Sequence, residues 1–299
     1  MTSGTFRIVQ LIRSVLRPLG VERAKFIRPL YHRFKKSLKH STAEVDGFFL
    51  HLDRNDSLDL SLTPDYEVFE RNLVKRWVRE GDTVLDIGAH IGLFTLVMAR
   101  EVGPKGRVFS FEPCPESHHL LAENIRANGL SNVTLVEAAV GEESGWTTLF
   151  LNPLNSGDHR THPTSQSGES VRVETIRLDD FEPLKGVPID FIKMDVQGSE
   201  WEALKGMSGL LETNPGVRIF FEFWPSGLRE AGADPLEVLL WLMRRDFRLF
   251  HLHEEDESIR RIQDGDEEGW IERLLTEFGA HSQRHTNLLA VGTSGRDPF

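Results

Sequence analysis

The chain has 299 residues, 39% of them hydrophobic, which suffices for the core of one α/β domain with extensions. Its single cysteine, Cys114, excludes an intrachain disulfide and fits a reducing compartment, and no segment reaches the ~20 apolar residues of a membrane-spanning helix. The net charge of -11 conceals an asymmetry, because residues 1–40 carry ten Lys or Arg against one acid, Glu22. The acidic remainder, without basic residues interleaved with stacking aromatics, argues against a nucleic-acid partner.

In the basic arm, assigned to residues 1–45, Phe6, Val9, Ile12, Val15, Leu16 and Leu19 recur at near-helical spacing between Arg7, Arg13 and Arg17. Such a helix fits contact with an anionic membrane surface, packing on the domain with solvated basic residues, or an acid-poor targeting segment. The domain is assigned to residues 46–299. Short strands at 47–52 and 58–62 lead into a helix over 64–79 that places Tyr66, Phe69, Leu73 and Trp77 on one face. A strand at 84–87, a helix to about 101, a strand at 108–111, a helix over 116–128 closed by Gly129 and a strand at 133–136 give the rhythm of a parallel sheet. Strands at 147–151 and 171–176 flank a polar stretch, 152–170, that is too long for a plain connection and reads as a lid or acceptor-binding loop. Strands at 189–194 and 217–221 end in Asp195 and Glu222. Asp234, Pro235 and Glu237 then open a helix with an N-cap, a first-turn proline and an acid in the first turn. Segments 247–253 and 287–291 close the sheet as an antiparallel pair.

The run Thr83-Val84-Leu85-Asp86-Ile87-Gly88-Ala89-His90-Ile91-Gly92 reads as a buried strand breaking into a glycine turn before a helix, a nucleotide-cradling arrangement. A dinucleotide loop wants three glycines and no acid beside its pyrophosphate. Here the spacing is GxxxG and Asp86 precedes the turn. An acid there suits the ammonium and sulfonium of S-adenosylmethionine better than NAD; a tight turn with a solvated aspartate is the plainer alternative. Glu112 ends the next strand, where a carboxylate meets ribose hydroxyls. Its alternative is a charge ahead of the following helix. His251, His253, His281 and His285 have suggestive spacings, yet no cysteine or carboxylate pattern completes a zinc site.

Taken together, Val84 to Gly92, Phe111-Glu112-Pro113, Val133 to Gly141, Leu178-Asp179-Asp180-Phe181 and Ile192-Lys193-Met194-Asp195-Val196-Gln197-Gly198-Ser199-Glu200 resemble the FkbM family of S-adenosylmethionine-dependent methyltransferases over about residues 46–292. Two positions depart from the family pattern: Gln197 stands where glutamate is usual, and His90 where asparagine is commoner. The resemblance implies a Rossmann-like class I methyltransferase fold, a mostly parallel seven-stranded sheet with a terminal antiparallel hairpin. It also implies transfer of a methyl group to a hydroxyl of a glycan or small natural product. Carried over, it makes Asp86, Gly88 and Gly92 the methionine-end site and Glu112 the ribose ligand. Ala89 and His90 would run along the cofactor through their backbone. Adenine would lie near Glu137 and Ala138, met by the Glu137 side chain or by a backbone group.

Lys193 and Asp195 are two apart on a strand and share a face, and Asp195 and Glu222 sit at the carboxyl ends where α/β sheets bind ligands. These three form the expected catalytic group, with Asp195 orienting or deprotonating the hydroxyl and Lys193 tuning it. A structural Lys193–Asp195 ion pair is the competing reading. Glu200 is expected to charge the first turn of the helix that follows. No metal is assigned, although a carboxylate pair leaves Mg²⁺ open. The expected partners are a hydroxyl-bearing acceptor and, through residues 1–40, a membrane surface; the expected location is cytoplasmic, peripheral at the membrane. A nucleotide-binding module without catalysis is the alternative class, and a dehydrogenase is disfavoured by the GxxxG turn and the terminal hairpin.

Overall fold

The computed structural model describes residues 39–63, 65–262, 267–278 and 284–295. The amphipathic pattern of residues 6–19 and the histidine at 281 lie outside them. Strands β1 (Thr42–Val45) and β2 (Phe48–His51) pair antiparallel around Asp46 and Gly47, both at positive φ (53° and 81°), as a two-residue hairpin turn requires. Strand β1 thus lies within the stretch read as arm.

The strand expected at 58–62 is not formed. The Asp56 carboxylate accepts the amides of Leu60 (2.8 Å) and Ser61 (3.1 Å) and the Ser61 hydroxyl (2.6 Å), and so winds the chain into turns that still bury Leu60 and Leu62. Helix α1 (Val68–Trp77) starts later than its apolar spacing suggests, because Glu67 before it is left-handed.

Then follow β3 (Thr83–Ile87), α2 (Leu93–Val102), β4 (Arg107–Phe111), α3 (Pro115–Ala127) and β5 (Val133–Val136). Gly129 ends α3 at φ 66°, with Leu130 N–H bonded back to Ile125 O, a helix-closing turn that favours glycine. Strands β6 (Ala139–Val140), β7 (Gly145–Phe150) and β8 (Ser170–Ile176) form a separate sheet of order β6-β8-β7. The chain continues through β9 (Phe191–Met194), α4 (Glu200–Gly206), α5 (Ser208–Thr213), β10 (Arg218–Phe223), α6 (Pro225–Glu230) and α7 (Pro235–Met243). It closes with β11 (Arg248–His253), β12 (Ser258–Arg261), α8 (Glu267–Phe278) and β13 (Thr286–Val291).

The main sheet has eight strands in the order β12-β11-β13-β10-β9-β3-β4-β5. Strands β5 to β10 in that row are parallel, and β13 runs antiparallel between β10 and β11, the terminal pairing expected from 247–253 and 287–291. The eighth strand, β12, is added at the edge against β11. Both faces are covered. Leu85, Ile87, Ile192, Met194, Ile219 and Phe221 face the core under α4 to α8, whereas Val84, Val108, Phe191 and Phe220 face the core under α1 to α3. By the two-residue period of a strand, Asp86, Ser110, Lys193 and Glu222 also point to the α1–α3 side. Strand order reverses between β3 and β9, which opens a crevice at their carboxyl ends.

Candidate active site

A cavity of about 340 Å³ occupies that crevice. At one end it is lined by Gly88, Ala89, His90, Glu112, Pro113 and Ala138, and at the other by Tyr66, Glu67, Lys193, Asp195, Glu222 and His285.

The first end is built largely by backbone. The amides of Gly88 and Ala89 both donate to Phe111 O (3.0 Å each), tying the turn after β3 to the end of β4. Gly88 has φ 82°, and a Cβ there would stand 1.9 Å from the Asp195 carbonyl oxygen, so only glycine lets the β3 and β9 ends approach. Glu112 accepts the amides of His90 (2.8 Å) and Cys114 (2.9 Å); burial, chiefly, pushes its carboxyl up to about 7. The Cys114 thiol is itself buried and raised by that burial. His90, at φ 50°, sends its ring across the cavity, where Nε2 lies 2.7 Å from Ser156 Oγ; burial keeps the imidazole neutral, down to about 4. Ser156 is tied in turn to Ser57 (2.9 Å), and residues 155–161 of the polar stretch wall the cavity.

Three residues assigned to the cofactor do not line it. Asp86 is fully buried on the α2 side of β3, where Oδ2 accepts from Thr95 Oγ1 (2.5 Å) and Oδ1 has no hydrogen-bond partner. Gly92 is at φ 96° where α2 begins and packs on Leu121, so its part is to start the helix. Glu137 is half exposed and turns outward, 3.7 Å from His118 Nδ1. Gly88, Ala89, His90, Glu112 and Ala138 do line the cavity.

The second end is crowded with charge. Lys193 Nζ lies 3.3 Å from Asp195 Oδ2 and 5.0 Å from the centre of the Phe94 ring. Gln197, at φ 53°, donates to Asp195 Oδ1 (2.8 Å) and to Glu222 Oε2 (3.2 Å), bridging the two carboxyls. His285 Nε2 lies 3.6 Å from Glu222 Oε1. Burial works to raise the Asp195 carboxyl, but the Lys193 ammonium and the Gln197 amide outweigh it and hold it below its ordinary value. Burial also opposes the Lys193 charge, yet Asp195, Asp86 and Glu67 leave it above its ordinary value. Glu222 is pushed well up, by burial first and then by the charges of Asp195, Glu200 and Glu67. The three expected residues are therefore brought together, and the pairing of Lys193 with Asp195 is real.

Glu200 does more than charge a first turn. Its Oε1 accepts the amides of Val196 and Gly198 (3.2 Å each), pinning the turn after β9, while Oε2 is buried without a partner and burial lifts the carboxyl to about 7. Tyr66 and Glu67 escape sequence reasoning, because Tyr66 fits the apolar face of a helix and Glu67 belongs to no motif. Arg160, from the polar stretch, stacks 4.3 Å from the Trp224 ring and is paired with Asp158 and Glu230. Among the described residues no group of three or more His, Cys, Asp or Glu is arranged to hold a metal ion.

A parallel sheet whose order reverses above a glycine turn, closed by an antiparallel strand inserted between β10 and β11, defines a class I, Rossmann-like methyltransferase. Residues 86–249 match the family model described as the methyltransferase FkbM domain, more than half of the chain. The chain belongs to the FkbM family of methyltransferases, and its methyl donor is S-adenosylmethionine. It is 31% identical over 179 residues to methyltransferase sdnD of Sordaria araneosa, covering 49% of this chain and 68% of the relative. It is 31% identical over 161 residues to hexuronic acid methyltransferase AglP of Haloferax volcanii (53% and 60%). It is 27% identical over 160 residues to 31-O-demethyl-FK506 methyltransferase FkbM of Streptomyces tacrolimicus (44% and 61%). The chain spans less than two thirds of the length of the last two.

Proposed function

We propose that this methyltransferase acts on a hydroxyl group of a glycan or a small natural product. The observation that carries the reading is the polarity of the cavity, with a carboxylate for ribose hydroxyls at one end and a Lys–Asp–Glu group at the other, about the glycine turn. The residues present fit the donor. The missing Cβ at Gly88 leaves the turn open, Glu112 keeps lone pairs free for two vicinal hydroxyls, and Ala138 offers an apolar wall to a flat base. S-adenosylmethionine supplies an electrophilic methyl group on a positively charged sulfur. Gly88, Ala89 and His90 hold its methionine portion along the turn. Asp86 acts from behind the wall, through Lys193 and the Thr95 hydroxyl, rather than as a direct ligand.

At the acceptor end, Asp195, its two oxygens held by Lys193 and Gln197, keeps a fixed charge that helps orient the acceptor, and Glu222, its carboxyl raised well above its ordinary value by burial, stands beside it. Closing the site with residues 155–161 keeps water from competing, so positioning and exclusion of solvent supply much of the rate. The similarity to a hexuronic acid methyltransferase, AglP, and to a 31-O-demethyl-FK506 methyltransferase, FkbM, supports this acceptor chemistry. Calorimetry with S-adenosylmethionine, followed by labelled-methyl transfer to glycan, lipid and natural-product extracts, tests it. Binding with acceptor-dependent release of S-adenosylhomocysteine and an O-methyl product is expected; a product methylated on nitrogen or carbon overturns it.

A further inference from the structure

We propose that Glu67 is the proton acceptor for the acceptor hydroxyl, a role that rests on the O-methyltransfer reading above. Its geometry is unusual for its place in the chain. The residue ahead of an α-helix ordinarily holds extended backbone torsions. Glu67 instead adopts φ 46°, ψ 46°, a left-handed conformation that costs a non-glycine residue free energy, and its side chain caps no helix amide. In exchange its carboxyl reaches the acceptor end of the cavity and also lines a recess of about 80 Å³ behind it, with Lys193, Asp195, Glu222, Glu254, His285 and Asn287. The strain is shared with two other cavity residues, His90 and Gln197.

The three carboxyls at this end are not equivalent. Each oxygen of Asp195 already accepts a hydrogen bond, from Lys193 and from Gln197, and this pairing holds its carboxyl below its ordinary value, which makes it a weak base. Glu222 accepts from Gln197, and burial first, then the charges of Asp195, Glu200 and Glu67, raises its carboxyl well above its ordinary value. Glu67 has the Tyr66 hydroxyl as a partner, and burial, then the Asp195 charge, bring its carboxyl to about 7. A base must be able both to take and to release a proton at the working pH, and of the three only Glu67 is poised to do so. The groups that face it are Tyr66 and Glu70 beside it, Lys193 and Asp195 on β9, Glu222 on β10, Glu254 beyond β11, and His285 ahead of β13.

The step balances. As the acceptor oxygen forms its bond to the methyl carbon, the carbon–sulfur bond breaks and its electron pair goes to sulfur. The hydroxyl proton passes to Glu67 and then to water when the products leave. The donor's positive charge and the base's negative charge both disappear, which suits a site screened from solvent.

The test uses the full chain with two readouts. Protein labelled with ¹³C at the glutamate carboxyl carbons is titrated by NMR with S-adenosylhomocysteine bound, and Glu67 is assigned as the signal missing from Glu67→Gln. A signal titrating near neutrality is expected, and one titrating in the ordinary carboxylate range overturns the proposal. Tritiated methyl transfer is then measured against hexose and hexuronic acid glycosides. Glu67→Gln should lower turnover by at least ~10²-fold with S-adenosylmethionine affinity unchanged, and should abolish the loss of kcat/KM below pH about 7. Glu67→Asp, which keeps an acid, should retain that limb at reduced rate. A folded Glu67→Gln enzyme with normal turnover overturns the role. Methylation of nitrogen instead of oxygen sinks the reading beneath it while leaving the Glu67 titration intact, so the two failures are distinguishable.

Discussion

The two ends of the cavity are held by different means. At the Gly88–Glu112 end the polar atoms meet backbone: Glu112 takes two amides, Gly88 and Ala89 both bond Phe111, and a missing Cβ makes the space. At the Lys193–Glu222 end side chains meet side chains, and Lys193, Asp195, Glu222 and Glu67 perturb one another's ionisation, with Gln197 bridging Asp195 and Glu222. Backbone contacts survive most changes of side chain, so the first end suits a ligand that does not vary. A cluster of coupled side chains can be retuned one residue at a time, which suits an acceptor that differs between relatives.

The sharpest way to break this contrast is at Gly88. Gly88→Ala drives a Cβ into the Asp195 carbonyl at a positive φ, and we expect a loss of about 3 kcal/mol or more of stability together with loss of S-adenosylmethionine binding, read by thermal melts and calorimetry. An alanine variant of native stability would show that the β3 and β9 ends are not in contact. Asp195→Asn comes next. It leaves Lys193 buried with only Asp86 and Glu67 to offset its charge, and should cost up to about 3 kcal/mol in denaturant unfolding while reducing turnover less than Glu67→Gln does.

Glu112→Ala should weaken S-adenosylmethionine binding by about 1.5–3 kcal/mol, the worth of charged hydrogen bonds, with little change in turnover at saturation. The pH dependence of stability isolates Glu200. Its carboxyl stands at about 7 in the folded protein against an ordinary 4.5, so between those values the folded chain holds a proton that the unfolded chain has lost. This contribution is full below about 4.5 and fades as pH rises through about 7, with a slope of at most about 1.4 kcal/mol per pH unit. Glu200→Gln should flatten the unfolding free energy between pH 4.5 and about 7; an unchanged slope would assign the dependence to Glu112, Glu67 and Glu70 instead. The smallest effect is expected at Glu137→Ala, where an outward side chain predicts calorimetric affinity equal to that of the native protein.

The same contrast explains what the sequence made legible. A buried strand followed by two spaced glycines announces a turn whatever surrounds it, and so Gly88, Glu112, the alternation of strands and helices and the antiparallel closing pair could be read in advance. Which face of a short central strand an acid points to could not, since β3 is buried on both sides; Asp86 went under α2 rather than into the cavity. The chain at 58–62 has strand-like spacing, but the nearby Asp56 supplies hydrogen bonds that a turn can use. Strand β12, sequence Ser-Ile-Arg-Arg, is polar because it is an edge, and so lacked the pattern by which strands are found. Glu67 joins the site across more than a hundred residues of sequence, and no local pattern marks an acid as the one that abandons its helix.

The burial of Cys114 has a practical consequence. The chain's one thiol is buried beside Glu112 and raised above its ordinary value, and we expect thiol reagents to leave the folded protein unmodified, as a thiol count before and after denaturation would show. The native sequence is therefore already a silent background for site-specific labelling. Leu154, 82% exposed on the stretch that walls the cavity, is the natural place for a new cysteine. A fluorophore attached there would report in real time whether that wall moves when donor or acceptor arrives, without any other residue having to be replaced first.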